Sequence, residues 1–240
     1  WKKINGSFLL GVVGGIAISI FSLAKLMTWL LEHHPIYIWS FFFGLIVASS
    51  VLVAKEIKHW HIGTVISLIA GGCIAYVITV MSPAETPNTW WFIILSGAIA
   101  ICAMILPGIS GAFILLLMGK YSYILGVMLL FIVGAVAGII SFSHLLSWLL
   151  KKHHTETVAT LTGFMVGSLN KVWPWKETLE TYTDSHGVVR PLVEANVSPH
   201  YFQELTQSDP LLVEAIVMCI VGFVLIYGIE FIGKKMQKQQ

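Results

Sequence analysis

One stretch of this chain occurs twice, and that duplication decides the fold. Residues 15–49 read GIAISIFSLAKLMTWLLEHHPIYIWSFFFGLIVAS, and residues 134–168 read GAVAGIISFSHLLSWLLKKHHTETVATLTGFMVGS. At a constant offset of 119 the two align without a gap, and eleven of the 35 positions are identical. The matches include Ser22/Ser141, Trp29/Trp148, His34/His153, Gly44/Gly163 and Ser49/Ser168. An apolar bias alone aligns leucines but not Trp, His and Ser, so we interpret these segments as two copies of one hairpin.

Composition places the chain in a membrane. Hydrophobic residues make up 57% of it and charged residues 11%, and the mean hydropathy is +0.84. A soluble domain carries about 25% charged residues. Several apolar runs reach about 20 residues, the length that crosses the hydrocarbon core. We therefore predict an all-α polytopic membrane protein in which residues 1–240 form a single transmembrane domain.

Eight apolar segments are long enough to be membrane elements. They are Ser7–Leu31, Ile36–Ala54, Ile62–Met81, Trp90–Leu106, Ala112–Leu130, Phe131–Leu150, Thr157–Asn170 and Leu211–Ile232. Lys and Arg favour the cytoplasmic side of a membrane. The lysine clusters can all be cytoplasmic at once: Lys2 and Lys3, Lys55 and Lys58, Lys151 and Lys152, and Lys234, Lys235 and Lys238.

This orientation predicts a multi-pass plasma-membrane protein with a cytoplasmic C-terminus. The first segment then runs outward while its copy, the sixth, runs inward. The two copies would form an inverted-topology repeat, an architecture of many secondary transporters that place the substrate site near the repeat interface. The stretch 173–210 lies outside as an insert, where it is expected to form a small extracytoplasmic cap.

The stretch Trp90–Leu150 contains one charge, Lys120, and almost no loop. Pro107, Gly108, Ser110 and Gly111 interrupt it, and proline and glycine break a continuous helix. We expect a re-entrant hairpin of two half-helices that meet there, with backbone amides near Ser110 forming an anion site. The alternative is an ordinary turn between two full spans, or a kink.

Polar residues inside the spans suggest a phosphate site. Lys25 and its repeat partner His144 are both basic, and Ser22 and Ser141 lie within about a turn of them. Intramembrane ionisable residues are functional candidates by default. The alternative is that Lys25 snorkels to the surface and His144 makes one packing hydrogen bond.

The insert begins with a cluster suited to a lipid headgroup. Asn170, Lys171 and Lys176 surround Trp173 and Trp175, and could contact an outer headgroup. The alternative is a plain aromatic belt with lysine anchors. Within the insert, Thr181–Leu192 predicts a β-hairpin, and Ser198 and Pro199 predict the start of a short helix.

The sequence gives little support for a metal site or for an enzymatic activity. Three isolated cysteines, and adjacent His pairs that cannot share a helix face, give no metal spacing, so we predict no metal and no cofactor. A lipid-pyrophosphate phosphatase would need acidic metal ligands or an Arg/His/Ser set, and the one arginine is Arg190 in the insert. An ion-coupled small-anion transporter remains an alternative, since the same site would serve it.

Several segments resemble the bacterial PopT-type polyprenyl-phosphate transporters, in particular their members with a long outer insert. They are residues 107–111 (PGISG), 22–35 (SLAKLMTWLLEHHP), 41–45 (FFFGL) and 167–176 (GSLNKVWPWK). Members usually also carry an earlier Pro-Gly-x-Ser-Gly-Gly-Thr motif, which the repeat offset would place before Trp1. We therefore expect that part of the N-terminal region is absent from this chain.

The resemblance implies a transporter that returns undecaprenyl phosphate from the outer to the inner leaflet for reuse in cell-wall synthesis. The implied partners are a polyprenyl phosphate, the bilayer and a coupling proton or cation, with no nucleic acid.

Overall fold

A computed structural model describes residues 22, 25–81, 89–106, 128–183 and 189–237. Its elements, in chain order, are α1 (residues 25–33), α2 (Pro35–Ala54), α3 (Ile62–Val80), α4 (Trp90–Ile105), α5 (Met128–Lys152), α6 (His154–Ser168), a 3₁₀ turn (Leu169–Val172), β1 (Lys176–Thr183), β2 (Val189–Asn196), α7 (Pro199–Thr206) and α8 (Leu212–Gln237).

Long apolar helices dominate the described residues, as the sequence predicts. Four are long and apolar enough to cross a membrane, at Pro35–Ala54, Ile62–Val80, Leu130–Lys152 and Leu212–Met236, and Trp90–Ile105 is a shorter apolar helix. These helices are consistent with the predicted helical membrane protein. The predicted boundary between Leu130 and Phe131 is wrong, because one helix runs through it from Met128.

Glycines bring the helices together in three close pairs, α3 with α6, α2 with α8, and α4 with α5. A Cβ on Gly163 would collide with the Leu68 carbonyl, one on Gly44 with the Cys219 carbonyl, and one on Gly134 with the Ile94 carbonyl. Small residues let helix backbones approach where lipid supplies no hydrophobic driving force. The repeat-related pair Gly44 and Gly163 therefore has the same packing role in both copies.

The helices of each pair run parallel. Residues near the start of one helix contact residues near the start of the other, and later residues contact later residues. In the α3–α6 pair, His61 contacts Glu156 at one end and Thr79 contacts Asn170 at the other. In the α4–α5 pair, Gly134 lies against Ile94 and Gly138 against Ala98. In the α2–α8 pair, Ile36 clusters with Ala215 and Lys55 reaches Tyr227.

Helices α2 and α6, the second helices of the two sequence copies, run in opposite directions. Phe43 contacts Trp173 just beyond the end of α6, whereas Ile57, just beyond the end of α2, packs against Val158 near the start of α6. The molecule therefore has two distinct ends. The lysine end carries Lys55, Lys58, Lys151, Lys152, Lys234 and Lys235, and the hairpin end carries β1, β2 and α7.

The insert is a β-hairpin followed by a short helix. The prediction of an all-α protein is therefore incomplete, because the described residues also form two strands. Strands β1 and β2 pair antiparallel from Lys176/Asn196 to Thr183/Val189, and they extend beyond the predicted Thr181–Leu192. The predicted start of α7 is confirmed, because the Ser198 hydroxyl accepts a hydrogen bond from the Tyr201 amide and Pro199 occupies the first turn.

Two tryptophans fasten the insert to the helices. The Trp175 indole donates to the Pro210 carbonyl at 2.8 Å, and the Trp173 indole donates to the Val197 carbonyl at 2.9 Å. Trp175 is 6% exposed and packs with Ile36 and Ala215. The aromatic-belt interpretation is therefore wrong for Trp175, because tertiary packing buries its ring.

Candidate functional site

A polar pocket of about 350 Å³ lies at the hairpin end, where α3 and α6 meet the β-hairpin. We call it the hairpin pocket. Its lining includes all three residues predicted to contact a headgroup, namely Asn170, Lys171 and Lys176. Residues from α3 and β2 complete it: Tyr76, Thr79, Val80 and Met81 on one side, and Val193, Glu194, Ala195 and Asn196 on the other, with Leu179 of β1.

Asn170 holds the pocket walls together. Its side-chain amide donates to Thr79 at 2.9 Å, while its side-chain oxygen and its backbone carbonyl accept from Asn196 at 2.8 and 2.7 Å. It thus joins α3, the 3₁₀ turn and β2. Because these bonds use most of its capacity, Asn170 shapes the pocket more than it offers groups to a ligand.

The two lysines share one carboxylate. Glu194 Oε2 accepts from Lys176 Nζ at 3.3 Å and from Lys171 Nζ at 3.5 Å. The Lys176 side chain is 8% exposed and its ammonium lies 4.1 Å from the centre of the Trp39 ring. Burial lowers the pKa of Lys176, and the neighbouring Glu194 carboxylate opposes that shift. The carboxylate and the aromatic face both favour the cation.

Lys171 is the more accessible cation of the pair. Its side chain is 36% exposed, against 8% for Lys176. A long, strongly hydrated ammonium at the rim can reach a phosphate as a point charge. The chemistry available here is therefore electrostatic binding of an anionic headgroup.

An apolar groove of about 410 Å³ adjoins the hairpin pocket. It follows the α3–α6 seam, and its lining is Leu68, Ile69, Gly72, Cys73, Tyr76, Val77, Gly163, Val166 and Gly167. Tyr76 lines both spaces, so the groove and the pocket border the same side chain. Three glycines leave the seam without side chains, which is why the groove exists along this pair.

Helix α4 stops level with the middle of α5. The Cys102 thiol reaches the Gly138 carbonyl, and α4 ends one turn later at Ile105, whereas α5 continues to Lys152. Leu106 is extended, with φ −75° and ψ 128°, as expected of a residue before proline. The predicted anion site at Pro107, Gly108, Ser110 and Gly111 lies outside the described residues.

Leu106 also lines a mostly apolar cavity of about 440 Å³ towards the lysine end, together with Phe142, Leu146, Leu149, His153, Glu156, Thr157, Thr160, Leu161 and Phe164.

The predicted central residues lie on helix surfaces. Lys25, His144, Ser22 and Ser141 are all exposed, on α1 or its preceding residue and on α5. The His144 Nδ1–H donates to the Ile140 carbonyl at 3.0 Å, which leaves Nε2 available. None of the four lines the hairpin pocket or the groove. Their proposed shared phosphate site stays a prediction.

Sequence reasoning missed several residues of the pocket. Glu194, Asn196 and Thr79 line the pocket, and Trp39 lies against Lys176. All four are separated by long stretches of sequence from Lys171, and no motif joins them. One signal was available for Glu194, since a hairpin places a residue near the end of β2 beside the start of β1. No group of three or more His, Cys, Asp or Glu residues that could hold a metal occurs within the described ranges.

Comparison with known proteins identifies relatives over nearly the whole chain. A family model described as undecaprenyl phosphate translocase-like matches residues 1–190. A polyprenyl-phosphate transporter of Vibrio cholerae is 46% identical over 98% of this chain and 79% of its own length. One of Staphylococcus aureus is 32% identical over 70% of this chain and 69% of its own. No solved structure matches. The chain belongs to the undecaprenyl phosphate translocase-like family.

Proposed function

We propose that this protein carries undecaprenyl phosphate, or a similar polyprenyl phosphate, across the plasma membrane as a transporter and not as an enzyme. The observation that carries the proposal is the hairpin pocket, with its lysines, beside an apolar groove between two helices that shares Tyr76 with it. A lipid phosphate has the same two parts, a charged head and a long apolar tail. The curated relatives are named for this class of substrate.

The charged head needs a replacement for its water. Burying an unpaired charge in an apolar medium costs many kcal/mol. Lys171 and Lys176 offer two ammonium groups at the hairpin end, where a headgroup would first leave the aqueous phase. A tail that stays in the groove and in lipid needs no polar partner.

The groove also favours a lipid over a small free anion. A small-anion transporter would be served by a closed polar vestibule, whereas this groove is apolar along the α3–α6 seam. A groove of this kind lets a tail remain in the membrane while the head moves.

We infer the orientation of the protein in the membrane from the placement of charge. The lysine end corresponds to the cytoplasmic side, because Lys and Arg favour that side. Helix α8 then ends in the cytoplasm, the hairpin end is an extracytoplasmic cap, and the hairpin pocket is the entry for a headgroup from the outer leaflet. Net movement to the inner leaflet would return the carrier lipid for reuse.

The inverted-topology repeat is part of this proposal. Its support is that α2 and α6 run in opposite directions and that their repeat-related residues have matching environments. His34 has φ −137° and ψ 53°, and His153 has φ −132° and ψ 54°. The His34 amide donates to the Leu30 carbonyl and the His153 amide to the Leu149 carbonyl, each at 2.7 Å.

A central site midway across the membrane completes the proposed path. The end of α4 level with the middle of α5 favours a re-entrant hairpin, with Pro107, Gly108, Ser110 and Gly111 at its tip. Amides at a half-helix N-terminus attract an anion, and Lys25, His144, Ser22 and Ser141 would supply the remaining contacts. A proton or another cation is the proposed coupled ion.

Blocking the groove tests the function. Purified protein in liposomes is assayed for translocation of undecaprenyl phosphate, comparing wild type with Cys73→Trp, since Cys73 lines the groove. A tryptophan at Cys73 would occupy space that the lipid tail needs, so we expect the rate to fall about tenfold, which corresponds to about 1.4 kcal/mol. Ile74→Trp is the matched control, because Ile74 is exposed and is not among the groove-lining residues; its rate should stay close to wild type.

Two outcomes would contradict the proposal. Wild-type liposomes that move inorganic phosphate but no lipid phosphate would favour the small-anion alternative. Equal rates for Cys73→Trp and wild type, with both proteins folded, would remove the groove from the transport path.

A further inference from the structure

We propose that Glu194 makes the hairpin pocket discriminate against headgroup charge, so that a lipid diphosphate gains less binding over a lipid monophosphate than the two lysines alone would give it. This inference rests on the proposed function, and it adds a specificity-determining residue that no sequence motif indicates. It follows from where the Glu194 carboxylate lies relative to the two lysines.

One carboxylate oxygen occupies the position between both ammonium groups, 3.3 Å from Lys176 and 3.5 Å from Lys171. Lys176 cannot turn away from it freely, because its side chain is almost fully buried against Trp39. A phosphate that approaches the lysine pair therefore also approaches a negative charge. Among the described residues lining the pocket, these three carry the charge, which sums to +1.

Size does not provide this selection. The pocket holds about 350 Å³, and a water molecule takes about 30 Å³ in the liquid. The space is therefore large enough for more than one phosphate group. Charge is the remaining property by which the pocket can distinguish the two headgroups.

Coulomb repulsion by Glu194 grows with the charge of the headgroup. A phosphate monoester carries about −1.5 to −2 at neutral pH. A diphosphate on the same lipid carries more negative charge, so the carboxylate opposes it more strongly. The same lysines attract both, and Glu194 lowers the advantage that the diphosphate would otherwise gain.

The experiment measures equilibrium binding of undecaprenyl phosphate and undecaprenyl diphosphate to the full chain in nanodiscs, with wild type and Glu194→Gln. Removing the negative charge should tighten monophosphate binding about fivefold and diphosphate binding about ten- to twentyfold, because the Coulomb energy scales with ligand charge. The dissociation constant of the diphosphate, divided by that of the monophosphate, then falls about two- to fourfold. Glu180→Gln on β1 is the matched control, since Glu180 is exposed and does not line the pocket, and it should leave the ratio unchanged.

Glu194→Gln leaves Lys176 buried without its counter-ion, which can destabilise the hairpin. A second pair avoids this problem by comparing Lys176→Met with Lys176→Met/Glu194→Gln, which also differ at position 194 but bury no unpaired lysine. Compared with Lys176→Met alone, the double variant should again have a lower ratio of the diphosphate dissociation constant to the monophosphate dissociation constant. Equal changes for both lipids in both pairs would overturn the proposal.

These outcomes are separable from failure of the transporter proposal. A wild-type protein that binds both lipids but translocates neither would refute transport and leave the charge selection intact. A protein that translocates the monophosphate, with a ratio insensitive to Glu194, would refute the charge selection alone.

Discussion

The two copies of the repeated hairpin share local contacts, but only the second copy continues into the hairpin pocket. In both copies a tryptophan contacts the residue four positions later, with Trp29 stacked on His33 at 5.1 Å and Lys152 above Trp148 at 5.2 Å. In both copies the same tryptophan also meets the histidine five positions later edge-on, at 5.5 and 6.2 Å. Repeated sequence thus gives repeated local structure.

The copies diverge at their ends. The second copy continues from Ser168 into Asn170 and Lys171, which line the hairpin pocket, whereas the positions 119 residues earlier are Val51 and Leu52. A duplicated frame therefore supports an unduplicated headgroup pocket. The comparison teaches that repeat-related glycines make similar close helix contacts, while the residues of the hairpin pocket belong to the second copy and the insert that follows it.

The largest expected effect comes from the shared glycines. Gly44→Val and Gly163→Val should each destabilise the fold by about 3 kcal/mol or more, because a side chain would collide with the carbonyl of a neighbouring helix. Thermal unfolding in detergent measures this loss. Gly228→Val on α8 is the control, since nothing lies within 4 Å of a Cβ there. A similar melting temperature for all three variants would contradict the packing role of Gly44 and Gly163.

The next effect concerns the repeat-related basic pair. Lys25→Ala should weaken lipid-phosphate binding about 10- to 100-fold, because a charge-assisted contact in a low-dielectric site contributes about 1.5–3 kcal/mol. His144→Ala should have a smaller effect, because the His144 Nδ1–H already donates to the Ile140 carbonyl. Translocation in liposomes measures both. Unchanged rates in both variants would exclude this pair from the substrate site.

The smallest expected effect tests whether the hairpin end and the lysine end differ in lipid binding. Lys171→Gln should weaken undecaprenyl phosphate binding about three- to fivefold, because it removes one partly exposed charge from the hairpin pocket. Lys152→Gln removes the same charge at the lysine end, where Lys152 contacts Trp148, and should leave binding unchanged. Binding in nanodiscs measures both. Equal losses would show that overall charge matters and that the pocket does not.

Much of the fold was predictable because membranes constrain sequence strongly. The helices Pro35–Ala54 and Ile62–Val80 begin and end within a residue or two of the predicted spans. A run of about 20 apolar residues is the length of a membrane-spanning helix, so its ends can be read from the sequence. The start of α7 followed from Ser198 and Pro199, a local capping signal. The resemblance carried by the motifs around Pro107 and Trp173 was confirmed by the family match.

The site was only partly predictable. Asn170, Lys171 and Lys176 were found because they follow each other closely in sequence and border the membrane. Glu194, which stands between the two lysines, was missed, because it lies diagonally across the strand pair from Lys176, whose direct partner is Asn196. The Lys25 and His144 hypothesis came from the repeat offset, and it awaits the experiments above.

The sequence by itself determined the membrane class, the duplication, most helix boundaries and the family, because hydropathy, repeated motifs and capping residues are local properties. The tertiary structure decided which helices pair, in which direction, and which side chains share a cavity. Parallel α3 and α6 create the groove because Gly72, Gly163 and Gly167 come together along one seam. The lysine pair acquires its carboxylate because the hairpin folds back. Such proximity depends on contacts between residues far apart in sequence, and no local pattern encodes it.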